Sequence, residues 1–589
     1  MNPYPELDKL PGGFRTEDGP AWRRIRRYAV PGWMIERATA HRLAGDWRAA
    51  CAAAAVDVAL DLPALAARHG APVAQAVEED LRHLAPDLVR WHLPRVLGGR
   101  TTLEPDVRVL LARYGSGAGA PVLSVTTGPM IEGPQRLRLD CAPLAPLRRA
   151  YSFVPQPIPE DWTAARPLWD ARHTEELRER LGGAGRLPFL APDGTPLHPD
   201  LLPTRDPGAA DPAGHAEWIA LLGVRGESAA AYEAAGLERD ETAPRPSRYG
   251  RSFDPGAFLR AADIDLTRLA SELRRLAATG AGERWLIGSY YRSVLLEPTG
   301  PDPAARIRVR VVERDEAKGV PRLPRFAWKR QPDLELVRTG RITPRELHPL
   351  VSAALFPGAG PAYGPPGPAE AKPVRVRCGG EWHQVRSRGG VLDLLPHSPE
   401  EQQRERAMRA FGGAIQGCFA VQQIWTTGEG RLPRALRAER RELFLRAQHG
   451  DTPGVVALLD AGMDPRVRDA RGRTLLHELH LLDHEELLPR LLEAGLDPEA
   501  RTKAGLTPLQ VAVQCGGSAE LVRAYLEAGC RIDVVDDAEL SLAQVVRRYR
   551  RSDLAFLRDR VEEEFPGTGS EWFDEYMEER EAEEEDEEA

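Results

Sequence analysis

The chain is 589 residues long, 42% hydrophobic and 28% charged, with a formal net charge of −9. At about 150 residues per domain that length allows roughly four folded units, and the balance of apolar and charged residues excludes a disordered or fibrous chain. No stretch reaches the roughly 18 consecutive apolar residues of a membrane-spanning helix, and Met1 to Pro20 lacks the apolar core of a secretory signal, so the expectation is a cytoplasmic protein with no membrane partner.

Six cysteines, Cys51, Cys141, Cys378, Cys418, Cys515 and Cys530, are scattered without a Cys-x-x-Cys pair. They are expected to be reduced, mostly buried thiols rather than disulfides or zinc ligands. Arg and Ala abound while only five lysines occur, a bias of high-GC bacterial genomes. The acidity is confined to one end: from Glu571 to Ala589 twelve carboxylates face one arginine, net −11, so everything ahead of them sums to +2.

Taken in order, residues 1–20 are expected to be a flexible terminus and 21–115 a helical region, with helices over Ala49 to Leu60, Val73 to Leu84 and Pro86 to Trp91. A mixed α/β region with Pro- and Gly-rich loops follows over 120–300. It holds strands at Pro121 to Thr127, Gln135 to Asp140 and Trp285 to Leu296, and helices at Ala216 to Leu222, Ala229 to Glu238 and Asp263 to Ala278. A strand-containing α/β region over 301–430 adds Ala305 to Glu313 and a hairpin from Val374 to Val385 around Gly379-Gly380. Thr343-Pro344-Arg345-Glu346 and Ser398-Pro399-Glu400-Glu401 have the spacing of capping boxes, which predicts helices over Glu346 to Leu355 and Glu400 to Phe411. Residues 566–589 read as an acidic disordered tail.

Between them, over 436–565, the sequence repeats itself. Leu458-Leu459-Asp460-Ala461-Gly462 returns as Leu491-Leu492-Glu493-Ala494-Gly495 and as Tyr525-Leu526-Glu527-Ala528-Gly529, the glycines 33 and then 34 positions apart. Thr474-Leu475-Leu476-His477 returns as Thr507-Pro508-Leu509-Gln510, again 33 residues on. That is the period of a turn followed by two antiparallel helices. These residues resemble the ankyrin repeat: Asp469, Gly472, Thr474, Leu476, His477, Leu491, Leu492, Gly495 and Asp497 fill its pattern without a gap. In the next unit Thr502 stands where the family has Asp and Gln510 where it has His, which predicts a turn held by fewer hydrogen bonds. Phe444 to Asp464 reads as a worn first repeat and Leu540 to Glu564 as a worn last one. As a whole the chain resembles large actinobacterial ankyrin-repeat proteins. The fold class is thus multidomain α + α/β, with a carboxy-terminal all-α solenoid.

The resemblance implies protein binding through turn tips and the concave face. The matching positions include Arg471, Arg473, Leu481, Leu482, Lys503, Leu506 and Gln514, with Ala470, Ala504 and Cys515 beside them. Leu481 and Leu482 stand where the repeat is usually polar, so this apolar pair requires a cover, either the chain's own middle region or a second protein. His477, His480 and His484 are spaced for one helix face, but the repeat register breaks that face and no metal is expected there. No nucleophile elbow, phosphate loop or dinucleotide fingerprint occurs, and no cofactor is expected.

Arg306 to Arg345 holds twelve basic residues against five acidic, net +7, with Phe326 and Trp328 interleaved. It reads as a solvated arginine face, as a landing site for the acidic tail, or, third, as a nucleic-acid surface. The favoured function is a scaffold or adaptor that binds a protein partner through the repeats. The alternative is an enzyme with its pocket in the middle region and the repeats as a targeting module.

Overall fold

A computed structural model of the protein describes residues 17–588 apart from 118, 145–158, 243–252, 263, 281, 289–291, 303–304, 314–315, 368–371, 389–390, 396, 411–415 and 428. The first 16 residues of the expected flexible terminus, and much of the Pro-rich passage before Trp162, therefore lie outside the described residues.

The first sheet contains β1 (Val56–Val58), β2 (Arg108–Arg113), β3 (Pro121–Thr127), β4 (Leu137–Pro143) and β5 (Glu160–Asp161), in the order β1-β4-β3-β2-β5. β2, β3 and β4 are antiparallel, with Val125 opposite Leu139 and Leu123 opposite Cys141. The outer strands β1 and β5 pair parallel to β4 and β2. Leu137, Leu139 and Cys141 point inward while Arg138 and Asp140 point out, the period of two that one buried face imposes.

Two segments read as helical behave differently. Trp47–Ala53 is a helix, with Asp46 accepting the Ala49 N–H as its cap, but the chain turns at Ala55 (φ 54°) and enters β1 instead of continuing to Leu60. Alanine's helix propensity, less than 1 kcal/mol per residue, is overridden by pairing with β4. β2, inside the expected helical region, has Val109 to Ala112 all buried; a strand covered on both faces leaves no alternation to read.

The second sheet holds β6 (Leu237–Asp240), β7 (Trp285–Gly288), β8 (Arg292–Pro298) and β9 (Ile307–Glu313), ordered β6-β9-β8-β7. Both sheets and their helices share one core, whose buried residues run from Val30 to Phe356. The boundaries expected near 115–120 and 300–301 thus fall inside a common interior, and this part of the chain is a single lobe. The Thr343 and Glu346 capping box is present, but it starts only a 3₁₀ turn, Pro344–Glu346; the α-helix begins at Pro349 with His348 as cap.

A second core runs from Val376 to Phe573. It joins a small antiparallel sheet, β10 (Val374–Cys378), β11 (Glu381–Arg388) and β12 (Val391–Leu395), to the helical stack. Ser398 and Glu401 form the expected reciprocal cap on helix Pro399–Ala410.

The stack consists of four helix pairs: Arg434–Gln448 with Thr452–Asp460, Leu475–Leu481 with His484–Glu493, Pro508–Gln514 with Ala519–Glu527, and Leu542–Arg548 with Ala555–Glu564. Leu475–Leu481 is 3₁₀ rather than α. Capping boxes open three of the inner helices, at Thr474/His477, Thr507/Gln510 and Ser541/Gln544. Gln510 does what the family's histidine does, since its Oε1 accepts the Thr507 N–H at 2.9 Å. The turns differ as expected: Asp469 accepts from both Arg471 and Arg473 N–H, whereas Thr502 Oγ1 accepts from Leu506 N–H.

The acidic segment is a helix, Glu571–Glu588, rather than a disordered tail. Its first turn is anchored because Phe573 enters the second core, and Gln544 Nε2 donates to Ser570 O and Asp574 at 2.8 Å.

Candidate functional site

The lobe and the stack meet around Arg100, carried on the loop after Gly98-Gly99. Its guanidinium reaches Asp469 at 3.0 Å, Glu132 at 3.4 Å and the fully buried Glu478. Burial works against that charge, but Glu478 and Asp469 outweigh it and hold the Arg100 pKa above its ordinary value. Arg473 joins from the stack, 3.3 Å from Glu132. Beside them the His480 Nε2–H donates to the Glu132 carbonyl at 3.0 Å. The segment 130–135 lies on the stack so closely that a Cβ on Gly516 would sit 2.9 Å from Met130 Cγ.

A second set of contacts fixes the first helix pair. Tyr28 O–H donates to Glu442, and the Trp33 indole N–H donates to Asp451 at 2.7 Å. The buried Arg446 bridges both carboxylates. Helices Gly19–Tyr28 and Gly32–Leu43 are thereby held against Arg434–Gln448.

This docking divides the predicted binding residues. Leu481 and Leu482 retain only 8% and 9% exposure within the second core, and Gln135 of the lobe crowds Gly450 together with the Leu481 carbonyl. Arg473 is buried against Glu132, and Cys515 lies next to Gly133. Gln514 donates to Asp536 within the stack at 3.1 Å. Arg471, Lys503, Ala470 and Ala504 remain exposed on the turn tips and Leu506 is half-buried; Lys503 N–H donates to the Arg471 carbonyl, tying two tips together.

Along the seam runs a cleft of about 470 Å³, lined by Arg24, Arg100, Arg437, Arg440, Arg441 and Arg471 against two carboxylates, Glu132 and Asp469. Burial, with Arg441 nearby, lowers the pKa of Arg24. Like charges gathered in a concave surface focus a positive potential outward. The spacing of the repeats predicted the turn tips, but Arg437, Arg440 and Arg441 sit on the helix before the first turn and Arg24 and Arg100 on the lobe, so no motif connects them.

The lobe has cavities of its own. A cleft of about 1220 Å³ is lined by Asp80, Asp161, Arg113, Arg166 and Arg172 among others. These charges are paired: Asp80 with Arg166 and Arg172, and Asp161 with Arg113. A smaller cavity of about 290 Å³ is lined by Trp22, Trp91, Trp162, Arg26, His92 and Arg95 among others. Arg26 pairs with Asp333, but the Nε and Nη1 of Arg95 are buried without a hydrogen-bond partner among the described residues. Burial, reinforced by Arg90 and Arg26, drives its pKa well down.

The stretch Arg306 to Arg345 is distributed rather than gathered. On β9 Ile307, Val309 and Val311 face the core and the arginines alternate outward. Arg306 pairs with Glu233, Arg308 with Glu238, Arg310 with Glu297 and Glu316, and Arg325 with Glu104 and Glu160. The acidic helix meets the stack instead, where Asp574 lies 3.1 Å from Arg547.

Histidines 477, 480 and 484 do not converge: His477 caps its own turn through Thr474, His480 faces the lobe, and His484 opens the next helix. All six cysteines are free thiols and four are buried, as the sequence leads one to expect. Cys378 and Cys418 meet His383 and His397, their four ligand atoms within 4.8 Å of one another.

The family model for ankyrin repeats, in three copies, matches residues 443–536. Ankyrin repeats are a protein–protein interaction module. A search of curated proteins finds none that matches the chain.

The docking predicts a pH dependence. Burial is the largest cause holding His449, His477 and His480 neutral, at about 3, about 4 and about 3. The unfolded chain takes up these protons near pH 6.5. Stability is therefore complete above that pH and is lost as pH falls toward the folded values, by roughly 2 kcal/mol per histidine between about pH 6.5 and 5. Thermal melts should show Tm dropping over that interval. His480→Gln, which keeps a donor to Glu132, should remove about a third of the drop; a flat Tm would contradict the assignment.

Proposed function

We propose that the protein is an adaptor that captures an acidic segment of a partner protein in the arginine-lined cleft between lobe and repeats. The observation that carries this is the cleft itself, with six arginines against two carboxylates. It continues onto the exposed tips at Arg471 and Lys503, where repeat modules take their partners. The inner face at Arg473, Leu481 and Leu482 serves the protein's own docking, which leaves the seam and the tips for a second protein. A labelled oligoglutamate peptide should bind with an affinity that falls as salt rises. Arg437→Glu combined with Arg441→Glu, both exposed residues, should weaken it about tenfold or more, or about 1.4 kcal/mol, while Arg523→Glu on a remote helix leaves it unchanged. Equal affinity in all three chains would overturn the proposal.

A second function is favoured by Arg95. A buried guanidinium with no carboxylate paired to it among the described residues is costly to the fold, and such a group lining an aromatic cavity suits a small planar anion. Arg95→Met should raise Tm in plain buffer, because it removes an unpaired buried charge. Benzoate and nitrate, both planar and tested separately, should raise the wild-type Tm and not that of the variant. If neither anion acts and the variant melts lower, this function is excluded.

A further inference from the structure

We infer that Cys378, His383, His397 and Cys418 form a structural zinc(II) site that clamps the small sheet to the helix leading into the repeats. Each ligand is placed by a different element. Cys378 ends β10 and His383 sits on β11, across a two-residue turn in which Gly379 and Gly380 both take positive φ, 60° and 92°. His397 follows β12, and Cys418 lies in the first turn of helix Gly417–Thr427. His383 Nδ1 lies 2.9 Å from His397 Nε2 and 3.7 Å from Cys418 Sγ. Bond lengths of about 2.0 Å to nitrogen and about 2.3 Å to sulfur give a zinc tetrahedron edges of this size.

Two further observations point to a ligand. The other ring nitrogen of His397, Nδ1, lies 3.5 Å from a Glu401 carboxylate oxygen, the outer partner that orients a metal-bound imidazole and fixes its tautomer. Gly417 has φ 60°, and a Cβ there would sit 2.9 Å from Cys378 Cα and strike its side chain. Only glycine lets the two cysteine-bearing segments approach this closely.

The donor set selects the ion. Two thiolates with two imidazoles favour zinc over the oxygen-seeking divalent cations, and four protein ligands close the coordination sphere, as in a structural site. Binding deprotonates both thiols, releasing two protons and leaving a zinc dithiolate of zero net charge with neutral histidines. The clamp has work to do. β10, β11 and β12 are short, and their buried residues Val376, Val385, Leu392 and Leu394 meet the stack through Val421, Trp425, Leu432 and Leu436. A sheet this small gains much of its stability from such a staple.

The test uses the full chain without a polyhistidine tag. Metal analysis of the purified protein should find one zinc per chain. Cobalt(II) added to the stripped, reduced protein should give the intense visible bands of a tetrahedral site with thiolate charge transfer. Cys378→Ser and His397→Asn should each abolish both signals, whereas Cys530→Ser, distant in the stack, should leave them intact. Stripping zinc should raise hydrogen exchange over 374–427 and in helix Arg434–Gln448 while the lobe core stays protected; because this readout is on the native sequence, it survives if a variant fails to fold. The inference is overturned if the reduced wild-type chain takes up neither metal, if the cobalt spectrum is octahedral, or if Cys378→Ser retains full stoichiometry. A Cys378–Cys418 disulfide in a chain that binds no metal after reduction would also overturn it.

Discussion

The structure depends on one buried charge arrangement, Arg100 of the lobe among Glu132, Asp469 and Glu478. Glu478 is fully buried on the inner helix of a repeat, a position where an ionised carboxylate persists only with a cation against it. That cation comes from a loop 378 residues earlier in the chain. Pairs of this kind add little net stability compared with an apolar substitute, but removing one partner leaves a stranded charge at about 3–5 kcal/mol. The consequence is specificity of docking. Met130, the Glu132 carbonyl and Gln135 reach their places on the stack in the one orientation that also satisfies Glu478.

From that constraint follows how the repeats are used. A short solenoid buries its apolar faces by stacking on neighbours, and here the lobe is an additional neighbour. It covers the inner face near Leu481 and Leu482, and helices Gly19–Tyr28 and Gly32–Leu43 brace the first pair through Glu442 and Asp451. What remains open is the rim where the two bodies meet. Its arginines come from both, so the cleft exists only in the docked protein, and binding of an acidic partner would be coupled to docking itself.

Much of the repeat region was legible in the sequence because its signals are local. The glycines ending the outer helices, the Thr-x-x-His and Thr-x-x-Gln caps and the apolar pairs each act within one turn, and the substitution of Gln510 for histidine preserves the hydrogen bond its neighbours predict. The apolar pair Leu481-Leu482, at positions where the repeat is usually polar, also indicated a cover. The rest was set by contacts between distant residues. The helix expected to reach Leu60 yields to pairing of β1 with β4, β2 hides its period by being buried on both faces, and the lobe's single core erases boundaries that composition suggested. Cys378 and Cys418 lie 40 positions apart with no spacing motif between them, so only the folded hairpin and helix bring them together. The acidic helix was misread at its start because charge count concealed Phe573, one apolar residue with a pocket to enter.

The most direct test of the Arg100 constraint is hydrogen exchange in the full-length chain carrying Arg100→Met. The docking account predicts that peptides covering 130–135 and 475–482 lose protection together, although they lie in different halves of the chain, while β3, β4 and the outer helices of the repeats keep theirs. Exchange that rises only around 98–101, leaving the inner helix of the repeat as protected as before, would contradict it.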